Sequence, residues 1–395
     1  MGFHKQGVKA RPRNQTQKMV NINYPTADAD NKIFLQNLGD ITITNIQGDE
    51  MVIGITISST VGIYETTNVY TKDKEGKITI HDLKEIVKCY MPRIEPVAVP
   101  GLSVCNLPAV SLSVWIPTQG SPSTITLNYK VLYSNGKVNG LPSQFKLNFT
   151  QVRKHSVLHD QLNIVALNKM MKHTVAIAYK DIYGIPRYVE KNIVGPLVDS
   201  DVLLLAFNAK SIMDLVLPAG HGAKIKDLLY VDIYSLDDGG IITDKMKYEY
   251  ENGTNHDVTF VFSNFFGLPE TMHCKGQDKE IVELDASFGF IGGEYTSYND
   301  ECITHHEVNT GHLDKPGFAT IKDLLRSRWQ YVIEYDNLKK VVIDAVTAER
   351  THANGSVQNC SFRYRVAEKY PEVFSANNDR IDLRVFDNSF DRSFE

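Results

Sequence analysis

The sequence predicts a mainly β protein built from several tandem β-sandwich-like modules with a few short helices. Three observations carry that expectation. Apolar side chains recur at every second residue in many short stretches. Turn-forming residues separate those stretches. The chain, at 395 residues, exceeds what one hydrophobic core organises and points to about two to four domains.

The alternation is plain along most of the chain. Ile53, Ile55 and Ile57 fall on one side of MVIGITIS, and Ile125, Leu127, Tyr129, Val131 and Tyr133 alternate through TITLNYKVLY. Phe145, Leu147 and Phe149 repeat the pattern, as do Val175, Ile177 and Tyr179, then Phe260 and Phe262, then Phe362, Tyr364 and Val366. A strand turns successive side chains to opposite faces, so each stretch offers one apolar face to a core. Turn residues punctuate them: Ser134-Asn135-Gly136, Asp237-Asp238-Gly239-Gly240, Asp336-Asn337 and Asn354-Gly355. The longest apolar run, Val202 to Phe207, has the length of one strand, and nothing approaches the roughly 20 residues that span a bilayer.

Few helices are expected. HDLKEIVKCY places Leu83, Ile86, Val87 and Tyr90 on one helical face, with Thr79 and Asp82 at capping-box spacing. TIKDLLRSRW repeats that spacing at Thr320 and Asp323, and a weaker helical pattern runs from about His155 to Met171. Ile-(His/Lys)-Asp-Leu occurs three times, at Ile80–Leu83, Ile225–Leu228 and Ile321–Leu324, the echo that related modules would leave. Proline and glycine clusters at Met91–Gly101, Ile193–Pro196 and Ser287–Tyr298 suggest boundaries. The expected division is a basic arm over 1–30, a β module with a short helix over 31–98, sandwich modules over 99–195 and 196–290, a C-terminal β module with one helix over 291–375, and a docking tail over 376–395.

Charge and cysteine content narrow the class. A net charge of −5 predicts no whole-protein affinity for nucleic acid or membrane. Cys89, Cys105, Cys274, Cys302 and Cys360 are odd in number and widely spaced, so they read as free thiols rather than a disulfide framework. The opening MGFHKQGVKARPRNQTQK lacks the apolar stretch of a signal peptide, and Gln6 stands where a myristoylation signal needs Ser or Thr. The expectation is a protein made in a cytoplasm.

No catalytic motif is present: neither a GxSxG elbow, a phosphate-binding GxxxxGK(S/T), HExxH, nor GxGxxG between strand and helix. The chain is therefore expected not to be an enzyme, and no cofactor or metal is expected. Two histidine groups have partial ligand spacing. His155 and His159 would share one face of a helix, but no further ligand adjoins them. Cys302, His305, His306 and His312 are denser and lack a second ligand pair, unless His273-Cys274 closes on them in space. Asp28-Ala29-Asp30-Asn31 begins like a calcium loop without its glycine and terminal glutamate, and reads as a turn.

The two ends carry the strongest functional signal. Lys5, Lys9, Arg11, Arg13 and Lys18 make an acid-free arm suited to an acidic protein surface or to DNA. The last ten residues repeat Phe-acid-x-Ser, so Phe386, Phe390 and Phe394 point together from a segment with no core of its own. These eight residues are the candidate subunit contacts.

FVFSNFFGLPETMHCKG (Phe260 to Gly276), SFGFIGGEY, IKDLLRSRWQYVIEYDN, CSFRYRVAEKYPEVF and the Phe-Asp-x-Ser-Phe ending resemble a family of virion proteins of Bacteroidetes phages, including the crAss-like phages. The resemblance spans about residues 30 to 395 and is strongest over the last 140. It implies β-sandwich modules in a neck, tail or baseplate, and carries over no active site. It makes the chain a structural subunit of the virion, with other virion proteins as partners and a homo-oligomeric ring as its assembly. Two other readings are a receptor-binding, adhesin-like tail protein, with Tyr295, Tyr298 and the loop His305 to His312 exposed, and a tail-associated glycan hydrolase with convergent acids in a cleft.

Overall fold

The computed structural model describes residues 20–46, 48–118, 123–139, 153–168, 172–193, 202–236, 240, 242–250, 258–311, 313, 315–334, 337–348 and 359–367. They form a mainly β protein of several sheets with three short α-helices, as the alternation predicts.

The first core lies between two sheets. A three-stranded sheet pairs β1 (Asn21–Asn23), β3 (Ile41–Thr44) and β6 (Ile78–Ile80). Facing it, a five-stranded sheet runs β2 (Lys32–Phe34), β9 (Thr124–Leu132), β8 (Ala109–Pro117), β4 (Glu50–Ser58) and β5 (Ile63–Thr71). Ile53, Ile55 and Ile57 of β4 and Val110, Leu112, Val114 and Ile116 of β8 all point inward, where they meet Ile41, Ile43, Ile78 and Ile80. Helix α1 (Leu83–Cys89) closes one end through Leu83 and Val87.

The second core has a middle layer. β7 (Gly101–Cys105), β14 (Val202–Phe207) and β11 (Asn163–Asn168) form a three-stranded sheet. One face packs on a five-stranded sheet of β10 (Arg153–Val157), β16 (Ile242–Tyr250), β15 (Leu228–Leu236), β12 (Lys172–Lys180) and β13 (Pro186–Ile193), and on helix α2 (Ala209–Val216). Leu203, Leu205 and Phe207 face this core, whereas Val202, Leu204 and Ala206 face the junctions with the other modules. The unbroken apolar run of β14 follows from being covered on both faces.

The third core backs a seven-stranded sheet, in the order β18 (Pro269–Cys274), β17 (Val258–Ser263), β21 (Gln330–Glu334), β22 (Asn337–Ala348), β23 (Cys360–Val366), β20 (Glu294–Asn309) and β19 (Asp278–Ile291). Helix α3 (Lys315–Arg326) buries Ile321 and Leu324 against Phe260, Phe262, Phe362 and Tyr364. Trp329, Val261, Ile164 and Ala206 join this module to the second core.

Arg328 ties the third module to the first. Its guanidinium donates to the carbonyls of Met91 (3.0 Å) and Pro92 (3.1 Å) and lies 4.9 Å from the Tyr133 ring centre. Only a planar fork makes both bonds and stacks at once. Arg328→Ala is expected to cost about 1–3 kcal/mol, read as a lowered urea midpoint, and Arg328→Lys to recover little of it.

Several expectations are corrected here. The stretch from His155 to Met171 is not helical: it holds β10, a turn at Leu158–Gln161 and β11. β11 pairs along its whole length with β14, and that tertiary partner outweighs a weak helical period. No capping box starts α1. Thr79 sits in β6 opposite Thr42, and the cap, Asp82, is left-handed (φ 60) without a side-chain cap bond. Thr320 caps nothing, because α3 starts five residues earlier, at Lys315. The three Ile-x-Asp-Leu copies lie at a strand–helix junction, in a 3-10 turn and inside α3, so they share no structural role.

The sheets cross the expected divisions at 98, 195 and 290. β2 pairs with β9 across 98, β7 with β14 and β12 with β15 across 195, and β17 with β21 across 290. Met91, in the proline stretch, is buried in the first core. The glycines between Ser287 and Tyr298 mark no boundary, since they belong to a hairpin of the third sheet.

Candidate assembly surface

That hairpin is the most unusual feature among the described residues. β19 and β20, of 14 and 16 residues, pair from Asp278↔Val308 to Ile291↔Glu294. Gly292 and Gly293 turn the corner with φ of 64 and 96, the left-handed backbone a two-residue hairpin requires. Among the described residues β20 pairs with the rest of its sheet where His306–Asn309 meet Tyr364–Ser361 of β23. From Glu294 to His305 the one described strand that pairs with it is β19. At about 3.4 Å per residue, those twelve residues make a two-stranded arm about 40 Å long.

The tip of the arm is aromatic and bare. Phe288, Phe290 and Tyr295 are 64%, 66% and 81% exposed. Phe290 and Tyr295 are directly paired across the strands, with ring centres 5.3 Å apart and edge to face. A lone two-stranded ribbon is marginally stable in water, and large exposed aromatics are characteristic of contact surfaces.

The root, by contrast, is tightly bonded. Gly276 N–H donates to Asn309 O (2.9 Å), and Asn309 N–H returns to Gln277 O (3.0 Å). The Asn309 side chain accepts from Gly311 N–H (2.8 Å) and donates to Ser361 Oγ (2.7 Å). Thr310 and Cys360 exchange two further bonds, of 2.9 and 3.0 Å.

The described histidines of this group pack at the root. His305 and His306 are consecutive on β20 and so face opposite sides of the sheet. His305 Nδ1 lies 2.8 Å from Asp344 Oδ2, without the alignment of a hydrogen bond, and its Nε2 lies 3.7 Å from Glu283 Oε2. Arg363 meets the same Glu283 at 3.5 Å. His306 stacks on Tyr364, 4.9 Å away and 13° from parallel. Burial raises the Tyr364 hydroxyl pKa above its ordinary value. It also raises the Asp278 carboxyl, against the pull of His306.

His273 bonds Asn163 (2.8 Å) and Thr259 (2.9 Å), while Cys274 is buried in the third core. His159 sits in a turn beside Tyr250, not on a helical face with His155. Among the described residues no three His, Cys, Asp or Glu side chains gather closely enough to hold a metal ion. Asp28 forms a plain turn, accepting from the amides of Asp30 and Lys32.

The arm residues Lys5, Lys9, Arg11, Arg13 and Lys18 and the tail residues Phe386, Phe390 and Phe394 lie outside the described residues, as does His312. The side chains of Tyr298 and Cys302 also lie outside them. No described helix is long and apolar enough to cross a membrane.

A second exposed apolar tip escaped the sequence reading. Ile182, Tyr183, Ile185 and Tyr188, at the turn of β12 and β13, are 50–79% exposed. Asp181 makes the turn rigid by accepting from the amides of Tyr183 and Ile185 and from Arg187. Apolar residues inside turn chemistry, in DIYGIP, were the available signal.

No protein-family model and no curated protein matches the chain.

Proposed function

We propose that this chain is a non-enzymatic structural subunit of a bacteriophage particle, placed in the tail, neck ring or baseplate and assembled as a ring with other virion proteins. The observation that carries the reading is the 40 Å arm, whose bare aromatic tip and thin two-stranded body call for a neighbour to pack on. Closed rings use head-to-tail contacts, which need two different surfaces per chain. The arm tip supplies one. The basic residues Lys5 to Lys18 meet an acidic neighbour or DNA, and the Phe386–Phe394 row docks on protein.

The test is the solution mass of the full chain beside a variant carrying Phe288→Ser, Phe290→Ser and Tyr295→Ser. A discrete oligomer that shrinks in the variant is expected, with the melting temperature retained. Antibody against the chain should also label one end of purified particles of the encoding phage. Absence of the protein from those particles would defeat the virion reading. The exposed Phe290–Tyr295 pair favours a second reading, receptor binding, which predicts saturable binding of host surface glycan that the same triple variant abolishes.

A further inference from the structure

Every open sheet has two edges, and an uncovered edge invites another strand. Among the long edges described here, most carry the usual protection. β13 has Pro186, Arg187 and Lys191. β19 is rich in Asp, Glu and Lys. β18 starts with Pro269 and lies against β11, where Thr271 accepts from the Ile164 amide. β5 differs: its nine residues, IYETTNVYT, hold one charge, Glu65, and neither proline nor lysine.

The free side of β5 can be assigned amide by amide. Lys72 N–H donates to Asp49 O (2.9 Å) and Ser59 N–H to Gly62 O (3.0 Å), one at each end of the β4–β5 ladder and in its register. Bonded pairs alternate along an antiparallel ladder. Tyr64, Thr66, Asn68 and Tyr70 therefore bond to β4. Ile63, Glu65, Thr67, Val69 and Thr71 direct their N–H and C=O outward, where no described strand pairs with them.

Both faces beside this edge are also unfinished. On the core side, Tyr64 and Tyr70 are only half-buried against the first core, and the Tyr64 ring lies 5.8 Å from that of Tyr90, just past α1. On the outer side Ile63 (67%) and Val69 (60%) stand exposed.

We propose that β5 accepts a strand from a second copy of this chain, and that the strand is Arg380–Phe386. This rests on the subunit reading above. The segment Arg-Ile-Asp-Leu-Arg-Val-Phe alternates strictly, with Ile381, Leu383 and Val385 on one face and Arg380, Asp382, Arg384 and Phe386 on the other. The aliphatic row lies on the core side, over Tyr64 and Tyr70. The two arginines lie on the outer side, where Glu65 is the one charge of the edge. Main-chain bonds supply affinity, and the alternate pockets supply register. A strand passed from copy to copy is a head-to-tail contact, the kind that builds a ring.

The test titrates a labelled peptide of residues 376–395 into the full chain carrying Leu383→Lys, whose own aliphatic row is spoiled. Saturable binding is expected, and Thr67→Pro should weaken it at least about tenfold. Proline there removes an outward N–H and leaves the β4 bonds intact. Thr67→Lys, which keeps the backbone donor, should weaken binding too, and Thr67→Val should retain it. Binding indifferent to both Thr67→Pro and Thr67→Lys overturns the proposal. So does a wild-type monomer that rejects the peptide, because the tail would then pair within its own chain. A discrete oligomer that Thr67→Pro leaves intact refutes the strand exchange and spares the subunit reading. Peptide binding at β5 in a protein absent from phage particles does the reverse.

Discussion

Phe260→Ala is expected to be the most destabilising single change, costing about 3–5 kcal/mol. Phe260 is fully buried at the centre of the third core, 5.3 Å from the Phe362 ring and 5.2 Å from Tyr364, edge to face with the latter. Truncation removes a large apolar area and leaves a void between β17 and β23, two strands that are not neighbours in the sheet and cannot close together. Domain stabilities of about 5–15 kcal/mol make such a loss a large fraction of the whole. Trp329, 5% exposed in an adjoining cluster, reports the event by fluorescence during urea unfolding. The only other tryptophan, Trp115, lies in β8 of the five-stranded sheet over the first core, and a Trp115→Phe background silences it. A midpoint shift worth less than about 1 kcal/mol would show that the third core is not packed around Phe260. Phe260→Leu, which keeps most of the volume, should lose far less.

Gly276→Ala is expected to act on the arm through its root. A methyl group there would meet the Asn309 carbonyl oxygen at 2.5 Å, the Asn309 Oδ1 at 2.6 Å and its Cβ at 2.7 Å. The first of these is backbone, held by the Gly276–Asn309 bond, so it cannot swing aside. The obstacle is steric, and relief requires the chain before β19 to move away from the end of β20 at the base of the hairpin. A loss of about 1–3 kcal/mol is expected from overpacking of this kind. Faster amide exchange should spread along Asp278–Asn309 and spare the first core. Gly293→Ala is the contrasting control: its φ of 96 makes alanine strained, yet the surrounding space is open, so its effect stays at the tip. Equal exchange rates in Gly276→Ala and wild type would refute the account of the root.

Much of the architecture was legible because its causes are local. Ile53, Ile55 and Ile57 announce β4, and Phe362 and Tyr364 announce β23, since a period of two can bury only one face of a strand. Asp237–Gly240 lies between two strands that pair antiparallel, β15 and β16. The histidine group was harder to read. Proximity in sequence suggested a ligand set, while extended backbone sends His305 toward Asp344 and His306 toward Tyr364. His155 and His159 looked like one helical face until β14 claimed the neighbouring segment as a strand.

Strand identity and the absence of familiar catalytic motifs could be read from residue types and spacing, since each depends on residues within a few positions of one another. Partnership could not. β2 meets β9 across roughly a hundred residues, and β5 has no outer neighbour among the described strands, because pairing is settled by which apolar faces must be covered together. The same glycines read as a break between modules or as the tip of a 40 Å arm, and only the register of Asp278–Ile291 against Glu294–Val308 distinguishes the two. A turn residue specifies the local backbone, whereas the strands on either side of it are held by hydrogen bonds to distant chain.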